Sequence, residues 1–119
     1  MLAYNEADNL EPVVEESVAA LSGSPDIAEH QLIIVDDGST DATPDVIARL
    51  MDRYDCIKLL QHEHNRGMGA AVQTGYSGVE LEHVTFIPAD GQVPVVEILK
   101  LVPAARDGAD MVLGNYTQR

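Results

Sequence analysis

The chain has 119 residues, of which 20 are Asp or Glu and 7 are Lys or Arg, so its formal net charge is −13. This charge argues against nucleic acid or an anionic membrane surface as the main partner, because phosphate contacts need clustered Lys and Arg. The single cysteine, Cys56, excludes an internal disulfide and a zinc site built from cysteines. We expect one cytoplasmic domain with its own core, and its acidity suits either a solvated surface or a halophilic source.

A first strand is expected to end at Tyr4, close to the start of the chain. The first predicted helix covers 11–21, with Asn9 as its cap and Pro12 in its first turn. The continuous apolar run at 32–35, in which three of the four residues are β-branched, then predicts a strand that is buried on both faces.

Thr43 is predicted to cap a second helix over 44–52, which leads to a third strand over 57–60. A loop with two glycines, 65–69, follows this strand and opens a third helix over 70–76.

The last part of the chain continues the alternation with a strand over 84–87, a helix over 94–102 and a strand over 111–113. Strands that alternate with helices indicate βαβ units. The predicted fold is therefore α/β, with a mostly parallel sheet and helices on both faces.

Ligands of open parallel sheets bind outside the carboxyl ends of the strands. The loops at those ends are 4–6, 36–39, 62–69, 89–92 and 115–116. Glu6, Asp37 and Asp90 bring carboxylates to three of them, and the glycine loop precedes a helix whose free N–H groups suit an anion. Together these loops predict a site for a phosphorylated ligand with a metal cation, because carboxylates alone repel a diphosphate.

Each loop also has a simpler interpretation. The segment 37–39 is by itself typical of a turn and a helix cap, and 90–91 of an ordinary turn. His62 and His64 are spaced so that they could bind a metal, but histidines in a loop are more often solvated. Cys56 is expected to be a small core residue.

Five segments, taken in their order and spacing, carry more information than any one of them. They are 3–10 (AYNEADNL), 34–41 (IVDDGSTD), 65–71 (NRGMGAA), 89–92 (ADGQ) and 107–110 (DGAD). Together they resemble the family 2 glycosyltransferases, particularly dolichyl- and polyprenyl-phosphate sugar synthases, over essentially the whole chain. The resemblance implies a Rossmann-like GT-A half that binds a nucleoside-diphosphate sugar of the UDP or GDP type. It also implies metal-assisted transfer with inversion, with a lipid phosphate as a plausible acceptor.

The resemblance assigns the nucleoside end of the site to residues near the first two strands. By this resemblance Ala3, Tyr4 and Glu6 line the nucleoside pocket. Val35 would lie along the base, and Asp37 would accept hydrogen bonds from it.

The resemblance assigns the sugar-diphosphate end to the later loops. Asp90 matches the last Asp of the family's Asp-x-Asp motif, and Gln92 matches a further residue beside the metal, which would be Mg²⁺ or Mn²⁺. Ala89 is the middle residue of this motif, and Arg66 and Gly67 would approach the donor.

The sequence departs from the family pattern at three positions. Pro88 replaces the first Asp of the metal motif, and Leu2 replaces the proline that usually precedes the first loop. No arginine directly follows Gly114, and Arg119 is the nearest substitute. No residue matches the family's general base.

We therefore expect a single donor-binding domain over 1–119 that is truncated at both ends. Its oligomeric state is left open. Other segments or partners could bring it to the cytoplasmic face of a membrane. The alternative is a non-catalytic module that binds a sugar nucleotide, which Pro88 favours. A dinucleotide-binding oxidoreductase domain is disfavoured, because Val72 stands where its fingerprint needs a third glycine.

Overall fold

The computed structural model describes residues 1–115, so Tyr116 and Arg119 of the sequence predictions lie outside the described residues. Three parallel strands form a sheet in the order β1-β2-β3. Their bounds are Leu2–Ala3 for β1, Leu32–Asp36 for β2 and Ile57–Gln61 for β3. β2 is central and pairs with both neighbours in parallel. The prediction of an α/β fold with a parallel sheet is confirmed.

Helices cover both faces of this sheet. Their bounds are Leu10–Gly23 for α1, Thr43–Arg53 for α2, Met68–Ser77 for α3, Val95–Leu99 for α4 and Val102–Arg106 for α5. Leu32 and Ile34 of β2 lie in one core cluster with side chains of α1 and α2. Ile33 and Val35 point the other way, towards Gly75 of α3 and Gly78 directly after it. β2 is therefore covered on both faces, as its β-branched run predicts.

The predicted strand over 84–87 is wrong. Only one parallel bridge, between Leu2 and Pro88, ties this region to the sheet in the described residues. Ile87 is buried, whereas Phe86 is 42% exposed. The apolar pattern is that of a strand, but strand structure needs a ladder of hydrogen bonds to a neighbour, and the ladder here is one residue long.

The predicted strand over 111–113 is also wrong. Met111 and Leu113 are 77% and 81% exposed, and no neighbouring strand pairs with them in residues 1–115. An apolar run without a pairing partner has no acceptor or donor for its backbone, so it does not become a strand.

The predicted helix over 94–102 is two short helices, α4 and α5, which meet at Lys100 and Leu101. Pro103, in the first turn of α5, explains the break. Proline lacks the N–H that would bond to the carbonyl of Leu99, and its ring clashes with that carbonyl.

Two predicted helix caps have other roles. The Asn9 side chain donates to the Glu6 carboxylate and makes no cap bond to α1. Thr43 is the first residue of α2, and Ala42 occupies the cap position. The Thr43 hydroxyl donates to an Asp41 carboxylate oxygen at 2.5 Å and accepts from the Glu6 N–H at 2.9 Å, so it ties the loop after β1 to the segment that begins α2.

The bridge at Pro88 also fixes where a ligand site lies. Leu2 pairs with Val35 on one side of β1 and with Pro88 on the other. The order along the sheet is therefore Pro88, β1, β2, β3, so the direction of progression reverses at β1. The carboxyl edge beside such a reversal is where open α/β sheets bind ligands. Within the described part of the chain, no helix has the length and apolarity needed to cross a bilayer.

Candidate functional site

The loops that follow β1 and β2 are tied together by hydrogen bonds at the carboxyl edge. The Asn5 backbone N–H donates to the Ser39 hydroxyl at 2.9 Å, and the Asn5 side-chain oxygen accepts from the Thr40 N–H at 2.8 Å. The Glu6 N–H donates to the Thr43 hydroxyl at 2.9 Å. The polar residues of these segments therefore hold the two loops in one fixed arrangement.

Asp37 is the most constrained carboxylate of this edge. It is 4% exposed. Its Oδ1 lies 2.6 Å from His62 Nδ1 and accepts from the Arg66 N–H at 2.9 Å, while its Oδ2 accepts from the Gly67 N–H at 2.9 Å. Burial alone would raise the pKa of Asp37, but the hydrogen bonds from His62, Arg66 and Gly67 outweigh it and hold the pKa below its ordinary value. The loop after β3 is thus folded around an ionised Asp37.

The expectation that His62 is a solvated loop residue is wrong. It is 8% exposed, and its Nε2 lies 2.8 Å from the Thr74 hydroxyl on α3. The signal was present in the strand register. Asp36 pairs with Gln61 at the ends of β2 and β3, so the residues that follow these ends, Asp37 and His62, are neighbours. A histidine between a carboxylate and a hydroxyl is satisfied without water. His64, by contrast, is exposed.

Gly38 allows the β3 loop to close over Asp37. Its φ is +71°, and a Cβ there would lie 2.3 Å from the His64 carbonyl carbon. Only glycine combines this backbone conformation with such a close approach of another backbone. Glycine is thus required at position 38 both by the φ of the turn and by the close packing of the His64 backbone.

The other predicted nucleoside residues divide into buried and open ones. Ala3 and Val35 are buried, and Val35 Cγ2 packs beneath Gly75 of α3. Tyr4 is 45% exposed and Glu6 is half-buried, so both can reach a ligand outside the sheet edge. The structure thus brings Tyr4, Glu6 and Asp37 to the same edge.

Arg66 donates its backbone N–H to Asp37 and also lines a depression beside α3. This depression has a volume of about 410 Å³ and is lined by Thr74, Ser77 and other residues of β3 and α3. Among the predicted site residues, Arg66 alone lines this depression, whereas the constrained polar groups lie at the carboxyl edge of the sheet.

The predicted metal residues lie on the other side of β1. Asp90 and Gln92 are exposed, Ala89 is buried, and the Gln92 N–H donates to Asp90 Oδ1 at 3.0 Å across a turn in which Gly91 has a φ of +72°. The described residues contain no group of three or more His, Cys, Asp or Glu that could hold a metal ion. Pro88 contributes no side-chain ligand. Asp90 therefore suits a metal only as one ligand of a shell completed by amide, water and ligand oxygens.

A comparison with known families agrees with this geometry. The sequence model of glycosyl transferase family 2 matches residues 1–119. The chain belongs to this family. The family resemblance in the sequence is therefore confirmed.

Curated relatives are similar over most of the chain. It is 34% identical to a dolichyl-phosphate beta-glucosyltransferase of Trichomonas vaginalis over 83% of its length, which is 30% of that protein. It is 30% identical to a dolichol-phosphate mannosyltransferase of Pyrococcus furiosus over 94% of its length, again 30% of that protein. It is 31% identical to an undecaprenyl-phosphate 4-deoxy-4-formamido-L-arabinose transferase of Serratia proteamaculans over 92% of its length and 33% of that protein. The chain thus spans about a third of these relatives.

A solved structure has the same fold. It is a mannosyltransferase from Pyrobaculum calidifontis in complex with GDP-Man and Mn²⁺, matched with a TM-score of 0.57 and 23% identity over 66% of this chain and 23% of that one. The likeness confirms a fold of the GT-A type.

Proposed function

We propose that the chain forms the donor-binding part of a glycosyltransferase, which transfers a sugar from a nucleoside diphosphate to a polyprenyl-phosphate acceptor with inversion. The observation that carries the proposal is the placement of Asp37 and Asp90 on either side of the reversal at β1. Membership of glycosyl transferase family 2 and the polyprenyl-phosphate chemistry in the relatives' names support it. A polyprenyl-phosphate acceptor would bring the reaction to a membrane face, the cytoplasmic one in this proposal.

The two ends of the donor meet different groups in this proposal. The nucleoside contacts Tyr4, Glu6 and Asp37, which the interlocked loops hold in place before a ligand arrives. Preorganised polar groups cost little ordering free energy on binding.

The diphosphate lies towards Asp90, with Gln92 beside it. Asp90 would hold Mg²⁺ or Mn²⁺, which when bound neutralises charge on the leaving nucleoside diphosphate. Because Asp90 is the one carboxylate proposed for the ion, most of the coordination would come from the diphosphate and water. We therefore expect the chain to bind metal weakly without nucleotide. Asp90 serves the metal and is not assigned as the general base.

Calorimetric titration of the full chain with UDP and GDP, each with and without Mn²⁺, tests the proposal. For the nucleotide that binds, Mn²⁺ should raise affinity at least about tenfold, and Asp90→Asn should abolish this gain while leaving metal-free binding unchanged. The control is Asp52→Asn, which makes the same charge change at an exposed position of α2 and should behave like the parent. An equal Mn²⁺ gain in Asp90→Asn would show that the metal end is misplaced.

A second candidate is a non-catalytic module that binds a sugar nucleotide. Pro88 in place of a metal-binding Asp favours it, because loss of a ligand weakens charge stabilisation more than it weakens base recognition. A donor-hydrolysis assay separates the two. Binding without release of free sugar supports the module, and Mn²⁺-dependent release supports the enzyme.

A further inference from the structure

We infer that this site selects a base with a single ring N–H donor, such as the uracil edge of a uridine or thymidine diphosphate, over guanine. The inference rests on the proposed function, in which Asp37 binds the base. It follows from how many hydrogen bonds the Asp37 carboxylate can still accept.

An ionised carboxylate accepts about four hydrogen bonds, two on each oxygen. Asp37 Oδ1 is bonded to His62 Nδ1 and to the Arg66 N–H, so both of its positions are taken. Asp37 Oδ2 accepts from the Gly67 N–H and has one position left. The carboxylate can therefore bind one further donor, through Oδ2.

The occupancy of Oδ1 is stable because His62 is held from both sides. Its Nε2 lies 2.8 Å from the Thr74 hydroxyl, and the ring is 8% exposed. An ionised carboxylate can only accept, so Nδ1 carries the hydrogen in the Asp37 contact. A base entering from the sheet edge cannot displace a buried donor of this kind without opening the β3 loop.

The Watson–Crick edges of the bases differ in donor number. Uracil and thymine present one ring N–H between two carbonyl oxygens, which matches a single free acceptor. Guanine presents a ring N–H beside an exocyclic amine, a pair of donors that a carboxylate binds with both of its oxygens. Asp37 has no acceptor left for the second guanine donor, so guanine would make one hydrogen bond fewer to this carboxylate, which costs roughly a factor of 10 to 100 in affinity.

Four nucleotides test this on the full chain in the presence of Mn²⁺, namely UDP, dTDP, GDP and inosine diphosphate (IDP). IDP is the sharpest probe, because it is GDP without the exocyclic amine. We expect the affinity for UDP or dTDP, whichever binds more tightly, to be at least about tenfold higher than the affinity for GDP. IDP should bind at least as tightly as GDP. The comparison of UDP with dTDP shows whether the preferred donor carries uridine or thymidine.

GDP binding as tightly as UDP and dTDP, or more tightly than IDP, would overturn the inference and leave the proposed function standing. Failure of all four to bind would overturn the proposed function itself. Asp37→Asn should reduce the differences among the four nucleotides to less than about threefold, whereas Asp90→Asn should weaken all four while keeping their order. An unchanged order in Asp37→Asn would show that another group reads the base.

Discussion

Replacing Asp37 with asparagine removes a charge from the interior while keeping nearly the same volume. The carboxylate is 4% exposed and accepts hydrogen bonds from His62, Arg66 and Gly67. In the variant, the amide oxygen can still accept, but the amide nitrogen donates and must face one of these donors. In the present geometry that donor is the N–H of Gly67.

The magnitude follows from these contacts. A hydrogen bond to a charged acceptor contributes about 1.5–3 kcal/mol, and the two remaining bonds become weaker neutral ones. The relief of no longer burying a charge offsets part of the loss. We expect Asp37→Asn to lower the free energy of unfolding by roughly 2–4 kcal/mol, measured by urea titration at pH 7.

Asp90→Asn is the matched control. Its carboxylate is exposed and accepts from the Gln92 N–H, which an amide oxygen can accept equally well, so we expect a change within about 0.5 kcal/mol. Equal changes in the two variants would refute the structural role assigned to Asp37.

The same comparison has a defined pH dependence. The pKa of Asp37 is lowered from its ordinary value of 3.8, so its stabilising effect is fully present above that pH and is lost as pH falls through the folded-state pKa. The gap between the parent and Asp37→Asn should therefore close in acid. Asp41, whose pKa the Thr43 hydroxyl lowers, adds to the acid sensitivity of both proteins equally. A gap that stays constant to pH 2 would contradict the assignment.

Three further predictions concern positions around the site and in the core. Gly38→Ala should lower the free energy of unfolding by at least about 2 kcal/mol in a urea titration, because Gly38 has a φ of +71° and the His64 backbone lies 2.3 Å from the new Cβ. Gly69→Ala is the control, because no atom lies within 4 Å of its new Cβ, and it should change the free energy of unfolding by less than about 1 kcal/mol. Leu50→Ala should lower the free energy of unfolding by roughly 2–5 kcal/mol in thermal or urea unfolding, since Leu50 of α2 is fully buried in the hydrophobic core. A smaller loss would mean that the surrounding side chains collapse into the cavity. Arg53→Ala, which breaks two exposed ion pairs to α1, should leave the urea midpoint nearly unchanged, and a clear loss of stability that persists at high salt would contradict a surface role.

The order of elements and the position of the site loops could be predicted from the sequence. Apolar runs separated by amphipathic stretches determine βαβ units, and parallel strands bring their carboxyl ends to one edge. This is why Tyr4, Asp37, Gly67 and Asp90 could be proposed as site residues without a structure. The burial of β2 on both faces followed from its β-branched run for the same local reason.

Tertiary structure alone decided which of these residues touch. Asp37 and His62 are 25 residues apart and meet only through the register of β2 and β3. Local pattern cannot show that a loop histidine will be enclosed, because its neighbours come from another strand and from α3. The same limit explains the missing strand over 84–87, since a strand depends on a partner's backbone as well as on its own side chains. The sequence by itself thus determined the chemistry available at the carboxyl edge, and the fold decided that Asp37 keeps one free acceptor there, because hydrogen-bond capacity is set by the groups that long-range pairing brings into contact.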